Sequence, residues 1–280
     1  MMKVIVLGSG TMGCGIAQSS IVAGHETTVI AHSEKSMGNA SEAIANGLDR
    51  SIKAGKLTAE GKSECLKLLK VSFRLQDCDD ADMVIEAVPE DVDLKREVLA
   101  AIEAYVSQHA VIATNTSSIR IDSMASVLKD KGRFLGLHFF NPVPVMKLVE
   151  LVSGMDTSQE ALDIAKGFAS SMGKTVVQVK DSPGFVSNRI LMAFINESLH
   201  ALEEGVATKE GIDTVARLGF NHPMGPIELA DFIGLDVCRD IMKQIYDQTH
   251  DEKFRPAGIL ESMVGKGMLG RKTKKGFYDY

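Results

Sequence analysis

The sequence predicts an α/β fold: a doubly wound, mostly parallel sheet over residues 1–183, followed by a smaller all-helical domain over residues 184–280. Short apolar segments alternate with amphipathic segments in the first half, which is typical of strands covered by helices on both faces. A glycine-rich turn joins the first strand to the first helix. Proline and glycine in the segment 181–185 (DSPGF) interrupt both periods, and the spacing beyond them is helical.

The N-terminal glycine turn is the most informative local signal. Apolar residues 3–7 run directly into Gly8, Gly10 and Gly13, which fit the pattern G-x-G-x-x-G, and a helical pattern follows at once. In this position the motif indicates a dinucleotide-binding turn of the Rossmann type. Gly8 permits the tight turn, Gly10 lets a pyrophosphate approach the backbone, and Gly13 lets the helix pack on the strand. The N–H groups and the dipole at the helix start attract the anion. The motif alone is also compatible with a turn that binds nothing.

Further strands are predicted from short apolar runs. They lie at residues 25–31, 81–89, 110–114, 133–140, 148–152 and 175–179. Residues from about 33 to 70 are rich in charge and are predicted to be helical. In the second domain, the spacing of apolar residues predicts a helix that stops at Gly205 and further helices over 209–218, 227–250 and 258–264.

Composition narrows the class of protein. Of the 280 residues, 45% are hydrophobic and 24% charged, as in ordinary globular proteins. The net charge of −6 gives no general support to nucleic-acid binding. No apolar run is long enough to span a membrane, and the first strand does not have the form of a signal peptide. The four cysteines form no C-x-x-C pair, so we expect reduced thiols, no metal site and a cytoplasmic location.

Polar residues follow three of the predicted strands, at the edge where a doubly wound sheet binds its ligands. They are Glu90, the run 115–118 (NTSS) and the run 138–142 (HFFNP). Glu150 lies on the apolar segment that follows, and Asn188 opens the first helix of the second domain.

These residue types suit the oxidation of an alcohol by a nicotinamide. Histidine as a residue type titrates near neutrality, so His138 could take the hydroxyl proton, while Glu150 on the other ring nitrogen would stabilise the imidazolium. Ser117 and Asn188 could hold the substrate oxygen. Spacing alone does not show that the side chains meet. His138 could be a structural strand histidine, Glu150 a solvated edge residue, and the run 115–118 and Asn188 could be helix caps.

Six stretches resemble the L-3-hydroxyacyl-CoA dehydrogenase family. They are 8–18 (GSGTMGCGIAQ), 115–119 (NTSSI), 136–152 (GLHFFNPVPVMKLVELV), 181–190 (DSPGFVSNRI), 221–237 (NHPMGPIELADFIGLDV) and 270–280 (GRKTKKGFYDY). Together they cover essentially the whole chain. The resemblance implies interconversion of a short-chain (S)-3-hydroxyacyl-CoA, such as 3-hydroxybutyryl-CoA, and the 3-oxoacyl-CoA, with a nicotinamide as hydride partner. It also implies a homodimer formed through the second domain.

The resemblance assigns roles at matching positions. His138 would be the catalytic acid/base with Glu150 as its partner, and Ser117 and Asn188 would position the 3-oxygen of the thioester. The residues that would cradle the pyrophosphate are Gly8, Gly10, Thr11, Met12 and Gly13. Those along the nicotinamide ribose would be Glu90, Lys95 and Asn115. The basic candidates for the CoA phosphate are Arg50, Lys53 and Lys56, whose alternative reading is a solvated helix face.

One position departs from the family pattern in a way that bears on the cofactor. NAD-specific members carry an aspartate at the end of the second strand, which accepts hydrogen bonds from the adenosine ribose. This chain has Ala31 there, followed by His32, Ser33, Glu34 and Lys35. The ribose loses its acceptor, and His32, Ser33 and Lys35 could donate to a 2′-phosphate. We therefore predict a preference for NADP(H), unless Glu34 bends back to the ribose and keeps NAD as the partner.

Two other functions remain open at the level of sequence. A dehydrogenase of the same two-domain build could act on a free 3-hydroxy acid, although such enzymes usually rely on a catalytic lysine. A non-catalytic relative, either a crystallin-like structural protein or a nucleotide-binding module, is the other. The presence of Ser117, His138, Glu150 and Asn188 argues against it.

Overall fold

One eight-stranded sheet forms the centre of the first of two units, Met1–Asp181. The computed structural model describes residues 1–280. The strands are β1 Lys3–Leu7, β2 Glu26–Ile30, β3 Leu69–Ser72, β4 Met83–Glu86, β5 Val111–Thr114, β6 Phe134–Phe139, β7 Leu148–Ser153 and β8 Thr175–Lys180. Their order in the sheet is β3-β2-β1-β4-β5-β6-β7-β8. All neighbours pair in parallel except β6 and β7, so the predicted fold class is confirmed.

Helices cover the sheet and complete the first unit. They are α1 Thr11–Val22, α2 Glu34–Lys53, α3 Ala59–Lys67, α4 Val92–Glu103, α5 Ile121–Ala125 and α6 Gln159–Ser171. The central strands β4 and β5 are buried at every residue, as expected of parallel strands that are covered on both faces. Their apolar side chains join those of α1, α2 and α6 in the main core of this unit.

The segment 33–70 was predicted to be helical throughout, and that prediction is wrong at two places. Gly55 adopts a φ of +68°, which ends α2 and separates it from α3. The chain then forms β3, which pairs with β2 only and lies at the edge of the sheet. Strand β3 has only four residues and pairs with one neighbour, so its apolar pattern is short. In the sequence, such a short pattern cannot be told apart from the end of a charged helix.

The second unit, Ser182–Tyr280, is helical. Its helices are α7 Ser187–Glu203, α8 Lys209–Thr214, α9 Pro226–Ile233, α10 Leu235–Thr249 and α11 Gly258–Gly265. The single helix predicted over 227–250 is two helices, because Gly234 has a φ of +110° and breaks the chain between α9 and α10. None of the helices in the structure combines the length and apolarity needed to cross a membrane.

Two buried carboxylates fix the C-terminal segment within this unit. Asp231 accepts hydrogen bonds from the backbone N–H of Phe277 (3.0 Å) and Tyr278 (2.8 Å), and Asp213 accepts one from the Tyr278 hydroxyl (2.7 Å). Burial raises the pKa of Asp231 above its ordinary value. Lys274 lies in this segment with a φ of +58°. Glycine suits that left-handed conformation, in which another residue costs roughly 1–2 kcal/mol.

Candidate active site

The glycine turn has the geometry that the motif predicts. Gly8 has a φ of +114°, and a Cβ on it would lie 2.5 Å from the carbonyl oxygen of Ala87. A Cβ on Gly13 would lie 2.0 Å from the carbonyl oxygen of Gly8, so helix α1 can approach β1 only without a side chain there. A Cβ on Gly10 would meet no atom within 4 Å. Gly10 therefore faces open space, which is where a ligand would approach the backbone.

A cavity of about 880 Å³ lies against this turn. Its size is in the range of small-molecule and cofactor sites. It is lined by Leu7, Gly8, Ser9, Gly10, Thr11, Met12, Ile30, Ala31, His32, Ser36, Asn39, Leu75, Ala87, Val88, Pro89, Leu94 and Val98. Glycine positions that admit no Cβ, the backbone N–H groups at the start of α1 and the cavity beside them fit a dinucleotide.

The residues after β2 contribute unequally to this cavity. Ala31 and His32 line it, whereas Glu34 and Lys35 do not. Ser33 is the N-cap of α2, and its hydroxyl accepts a hydrogen bond from the N–H of Ser36 (3.3 Å). The cavity is instead lined by Ser36 and Asn39, which sequence reasoning missed. Their spacing on α2, three residues apart, was the signal that could have found them.

His138 and Glu150 form a hydrogen-bonded pair. Strands β6 and β7 are antiparallel, and their register places His138 directly opposite Glu150. The His138 Nδ1 lies 2.9 Å from the Glu150 Oε2, with both residues buried, at 7% and 2% exposure. The ring of His138 also packs against Phe140, with centroids 4.5 Å apart. The structure therefore brings together two residues that the sequence separates by eleven others.

The turn that carries Ser117 is held from both sides. The Glu90 Oε1 accepts hydrogen bonds from the Thr116 hydroxyl (2.6 Å) and the Ser117 N–H (2.9 Å). The Asn115 Oδ1 accepts one from the N–H of Phe139 (2.9 Å), next to His138. Burial opposes ionisation of Glu90, but the charge of Lys95 and these hydrogen bonds outweigh it and hold the pKa of its carboxyl below the ordinary value. Asn115 and Glu90 thus fix Ser117 relative to the strand end that bears His138.

Lys95 lies beneath this turn. It does not line the cavity beside the glycine turn, which we call the nucleotide cavity from here on. It is 1% exposed, and its Nζ lies 2.7 Å from the Glu86 Oε1 and 3.3 Å from the Glu90 Oε2. Sequence reasoning missed Glu86, which is fully buried. The sequence signal that could have found Glu86 is its place at the end of the otherwise apolar run 83–86 (MVIE). A carboxylate within a buried strand needs hydrogen-bonding or charged partners, so it indicates a buried polar contact.

A second cavity, of about 540 Å³, lies between α1, α2 and the loop after β6. Arg50 and Lys56 line it, whereas Lys53 does not. Gln18, Ser51 and the loop residues 141–145, which begin with the cis peptide Asn141-Pro142, also line it. The predicted basic candidates are therefore divided: two face a cavity and the third does not.

Asn188 belongs to the second unit, where it is the second residue of α7. No group of three or more histidine, cysteine, aspartate or glutamate side chains in the structure is arranged to hold a metal ion.

Comparisons with known proteins agree with this architecture. The family model of the 3-hydroxyacyl-CoA dehydrogenase NAD-binding domain matches residues 3–182, and that of the C-terminal domain matches residues 184–280. The chain is 42% identical to a probable 3-hydroxybutyryl-CoA dehydrogenase of Bacillus subtilis, covering 99% of this chain and 97% of the relative. It is 41% identical to 3-hydroxybutyryl-CoA dehydrogenase of Clostridioides difficile, covering 100% and 99%. Among solved structures, (S)-3-hydroxybutyryl-CoA dehydrogenase PaaH1 from Ralstonia eutropha superimposes with a TM-score of 0.97 at 44% identity, covering 100% and 99% of the two chains.

Proposed function

The chain belongs to the 3-hydroxyacyl-CoA dehydrogenase family, and we propose on this premise that it interconverts (S)-3-hydroxybutyryl-CoA and acetoacetyl-CoA. Two relatives at 41–42% identity carry the name 3-hydroxybutyryl-CoA dehydrogenase. The observation that carries the proposal is the buried His138–Glu150 pair, whose histidine lies on β6, next to the strand β5 that leads into the Ser117 turn.

His138 is the proposed acid/base. With Nδ1 bonded to Glu150, Nε2 is the ring nitrogen that takes the proton of the substrate hydroxyl during oxidation and returns it during reduction. The Glu150 carboxylate fixes that tautomer and stabilises the imidazolium. Ser117 holds the 3-oxygen by a hydrogen bond, which places the reacting carbon for transfer. For Asn188, the same role is proposed from the sequence resemblance alone. The nicotinamide, when bound, supplies the hydride acceptor or donor.

The proposed nucleotide is NADP(H). Gly8, Gly10, Thr11 and Met12 line the cavity in which the pyrophosphate would lie, and Gly13 keeps α1 against the turn. Ala31 places no carboxylate at the adenosine ribose, and His32 and Asn39 offer donors to a 2′-phosphate in the same cavity. Glu90, Lys95 and Asn115 support the site on the nicotinamide side.

The proposed site for CoA is the cavity lined by Arg50 and Lys56. Two cations beside Ser51 and Gln18 are suited to a phosphate, since guanidinium and ammonium groups bind phosphate oxygens by charge-assisted hydrogen bonds. Lys53 serves the same anion at longer range through its charge alone.

A homodimer through the second unit is part of the proposal. This unit exposes several large apolar side chains, and such side chains mark interaction surfaces when they lie together. They are Val186, Ile190, Val206, Val215, Leu218, Phe220, Phe232 and Val237, with Leu218 the most exposed at 82%. The location we propose is the cytoplasm, where the four cysteines stay as the free, buried thiols seen in the structure.

A steady-state assay of the purified protein tests the function. Acetoacetyl-CoA is supplied with NADPH or NADH, and the loss of reduced-nicotinamide absorbance is followed. We expect turnover with both nucleotides and a higher kcat/KM with NADPH. Turnover of free acetoacetate but not of its thioester would select a free-acid dehydrogenase, and nucleotide binding without any turnover would select a non-catalytic relative.

A further inference from the structure

We propose that Glu86 is a positioning residue, which acts through Lys95 and Glu90 to hold the turn that carries Ser117. The proposal rests on the proposed function, in which Ser117 binds the 3-oxygen of the substrate. Glu86 is fully buried and does not itself line the nucleotide cavity. Its effect on turnover would therefore be transmitted by a chain of hydrogen bonds and ion pairs.

Glu86 lies at the carboxyl end of β4, between two neighbouring strands. Its pairing partners are Leu7 on β1 and Thr114 on β5, so it lies under the crevice where the strand order reverses. The Thr114 hydroxyl donates to the Glu86 Oε2 (2.6 Å), and the Val88 N–H donates to the Oε1 (2.7 Å). These partners are part of the strands and of the chain just beyond β4, so the carboxylate is rigidly held.

Lys95 connects this carboxylate to the next one. Its Nζ donates to the Glu86 Oε1 (2.7 Å) and to the Val88 carbonyl oxygen (3.2 Å), and it lies 3.3 Å from the Glu90 Oε2. A lysine that is 1% exposed needs its charge compensated, and the fully buried Glu86 provides that compensation. Without Glu86, the ammonium would turn towards Glu90 or draw in water.

Glu90 links Lys95 to the turn that carries Ser117. The Glu90 Oε1 accepts from the Thr116 hydroxyl (2.6 Å), the Ser117 N–H (2.9 Å) and the Ser118 hydroxyl (3.2 Å). The Oε1 atom thus accepts hydrogen bonds from three consecutive residues after β5, while Lys95 forms an ion pair with Oε2. A displacement of Glu90 by even 1 Å would move the Ser117 hydroxyl away from the substrate oxygen, at a cost in turnover of up to about 10²-fold.

The first test is made on the protein without ligands, by hydrogen–deuterium exchange of the segment 115–118. Glu86→Gln removes the charge while keeping the size. We expect exchange at these amides to become at least about tenfold faster, with other strand ends unchanged. Glu97→Gln, on the exposed face of α4, is the matched control and should leave the exchange unchanged. Unchanged exchange in Glu86→Gln overturns the proposal whatever the activity of the enzyme.

The second test is a double-mutant cycle on kcat with Ser117→Ala. If Glu86 acts through Ser117, Glu86→Gln lowers kcat about tenfold or more in the native background and by less than threefold in the Ser117→Ala background. Losses that multiply mean that Glu86 acts elsewhere and overturn the proposal. An inactive native enzyme whose segment 115–118 still responds to Glu86→Gln would instead contradict the proposed function. Glu86→Asp, which keeps the charge but withdraws the carboxylate from Lys95, gives the same two measurements if Glu86→Gln does not fold.

Discussion

His138 and Glu150 face each other because of a single antiparallel pairing in an otherwise parallel sheet. Side chains directly opposite on antiparallel strands lie about 4.5–5.5 Å apart at Cβ, which lets a carboxylate reach the ring nitrogen. Both residues are buried, so each compensates the polarity of the other. The hydrogen bonding of the pair is therefore satisfied within the fold, and in our proposal the same geometry serves proton transfer.

Replacing His138 by glutamine should lower kcat by about two to four orders of magnitude, the range that a general acid/base contributes. The nucleotide Kd should stay within about twofold, because His138 does not line the nucleotide cavity. The fluorescence of bound NADPH gives the Kd, and absorbance gives kcat. A loss of kcat below tenfold would remove His138 from this role. Glu150→Gln is the companion variant, and loss of folding without a catalytic defect would make Glu150 a structural residue.

In our proposal, the nucleotide preference depends on Ala31. Ala31→Asp should shift the ratio of kcat/KM for NADPH over that for NADH towards NADH by about tenfold or more. A hydrogen bond to a charged group contributes about 1.5–3 kcal/mol of binding free energy, and the new carboxylate would accept one from the ribose of NADH only. Ala31→Asn, which has the same size and no charge, is the control and should shift the ratio less. An unchanged ratio in Ala31→Asp contradicts our account of this position.

At the scale of elements, the turn between β1 and α1 contains glycines that are needed for two different reasons, packing and ligand binding. Gly13 is required by packing, because its Cβ would lie 2.0 Å from the Gly8 carbonyl oxygen. Gly10 has an ordinary φ of −76° and open space at its Cβ, so the fold itself accepts a side chain there. The requirement at Gly10 would come from the ligand alone.

Two alanine variants test this separation. Gly13→Ala should destabilise the first unit by several kcal/mol, since the clash is with backbone and cannot be relieved by a rotamer. Gly10→Ala should leave the melting temperature within about 2 °C of the native value and weaken nucleotide binding tenfold or more. Thermal unfolding and the nucleotide Kd are measured for both. Full nucleotide affinity in Gly10→Ala would show that the pyrophosphate does not approach this residue.

At the scale of the molecule, His25 links distant parts of the first unit. Its Nδ1 accepts a hydrogen bond from the Met2 N–H (3.1 Å) before β1, and its Nε2 lies 2.7 Å from the Ser171 hydroxyl at the end of α6. An acceptor at Nδ1 requires the neutral ring. Burial, with a smaller effect from the N-terminal amine, lowers the pKa of His25 below its ordinary value.

This link predicts a loss of stability in mild acid. Because the pKa of His25 is lower in the folded state, its neutral ring stabilises the fold fully above about pH 6.5 and progressively less as the pH falls below that value. The melting temperature of the native protein should therefore fall between pH 7.5 and pH 5.5. The fall should be smaller in His25→Gln, which does not titrate. An equal fall in both proteins would assign the pH dependence to other groups.

The sequence by itself determined the order of most strands and helices, the nucleotide-binding turn and the family. These follow from periodicity and motifs within short segments, where the pattern of neighbouring residues decides the backbone conformation. The edge strand β3 and the break at Gly234 were not predicted from the sequence. The preference of a few residues for a strand or a turn can be outweighed by the charged or apolar pattern of the residues around them.

Only the tertiary structure decided which side chains meet. Strand order places Glu86 of β4 between β1 and β5, and strand register places Glu150 opposite His138. The direction of α2 turns Ser36 and Asn39 towards the nucleotide cavity and leaves Lys35 outside it. The direction of α4 points Lys95 into the sheet, where it meets a carboxylate nine residues earlier. Such contacts join residues far apart in the chain, and their geometry follows from how whole elements pack, which no local pattern of residues specifies.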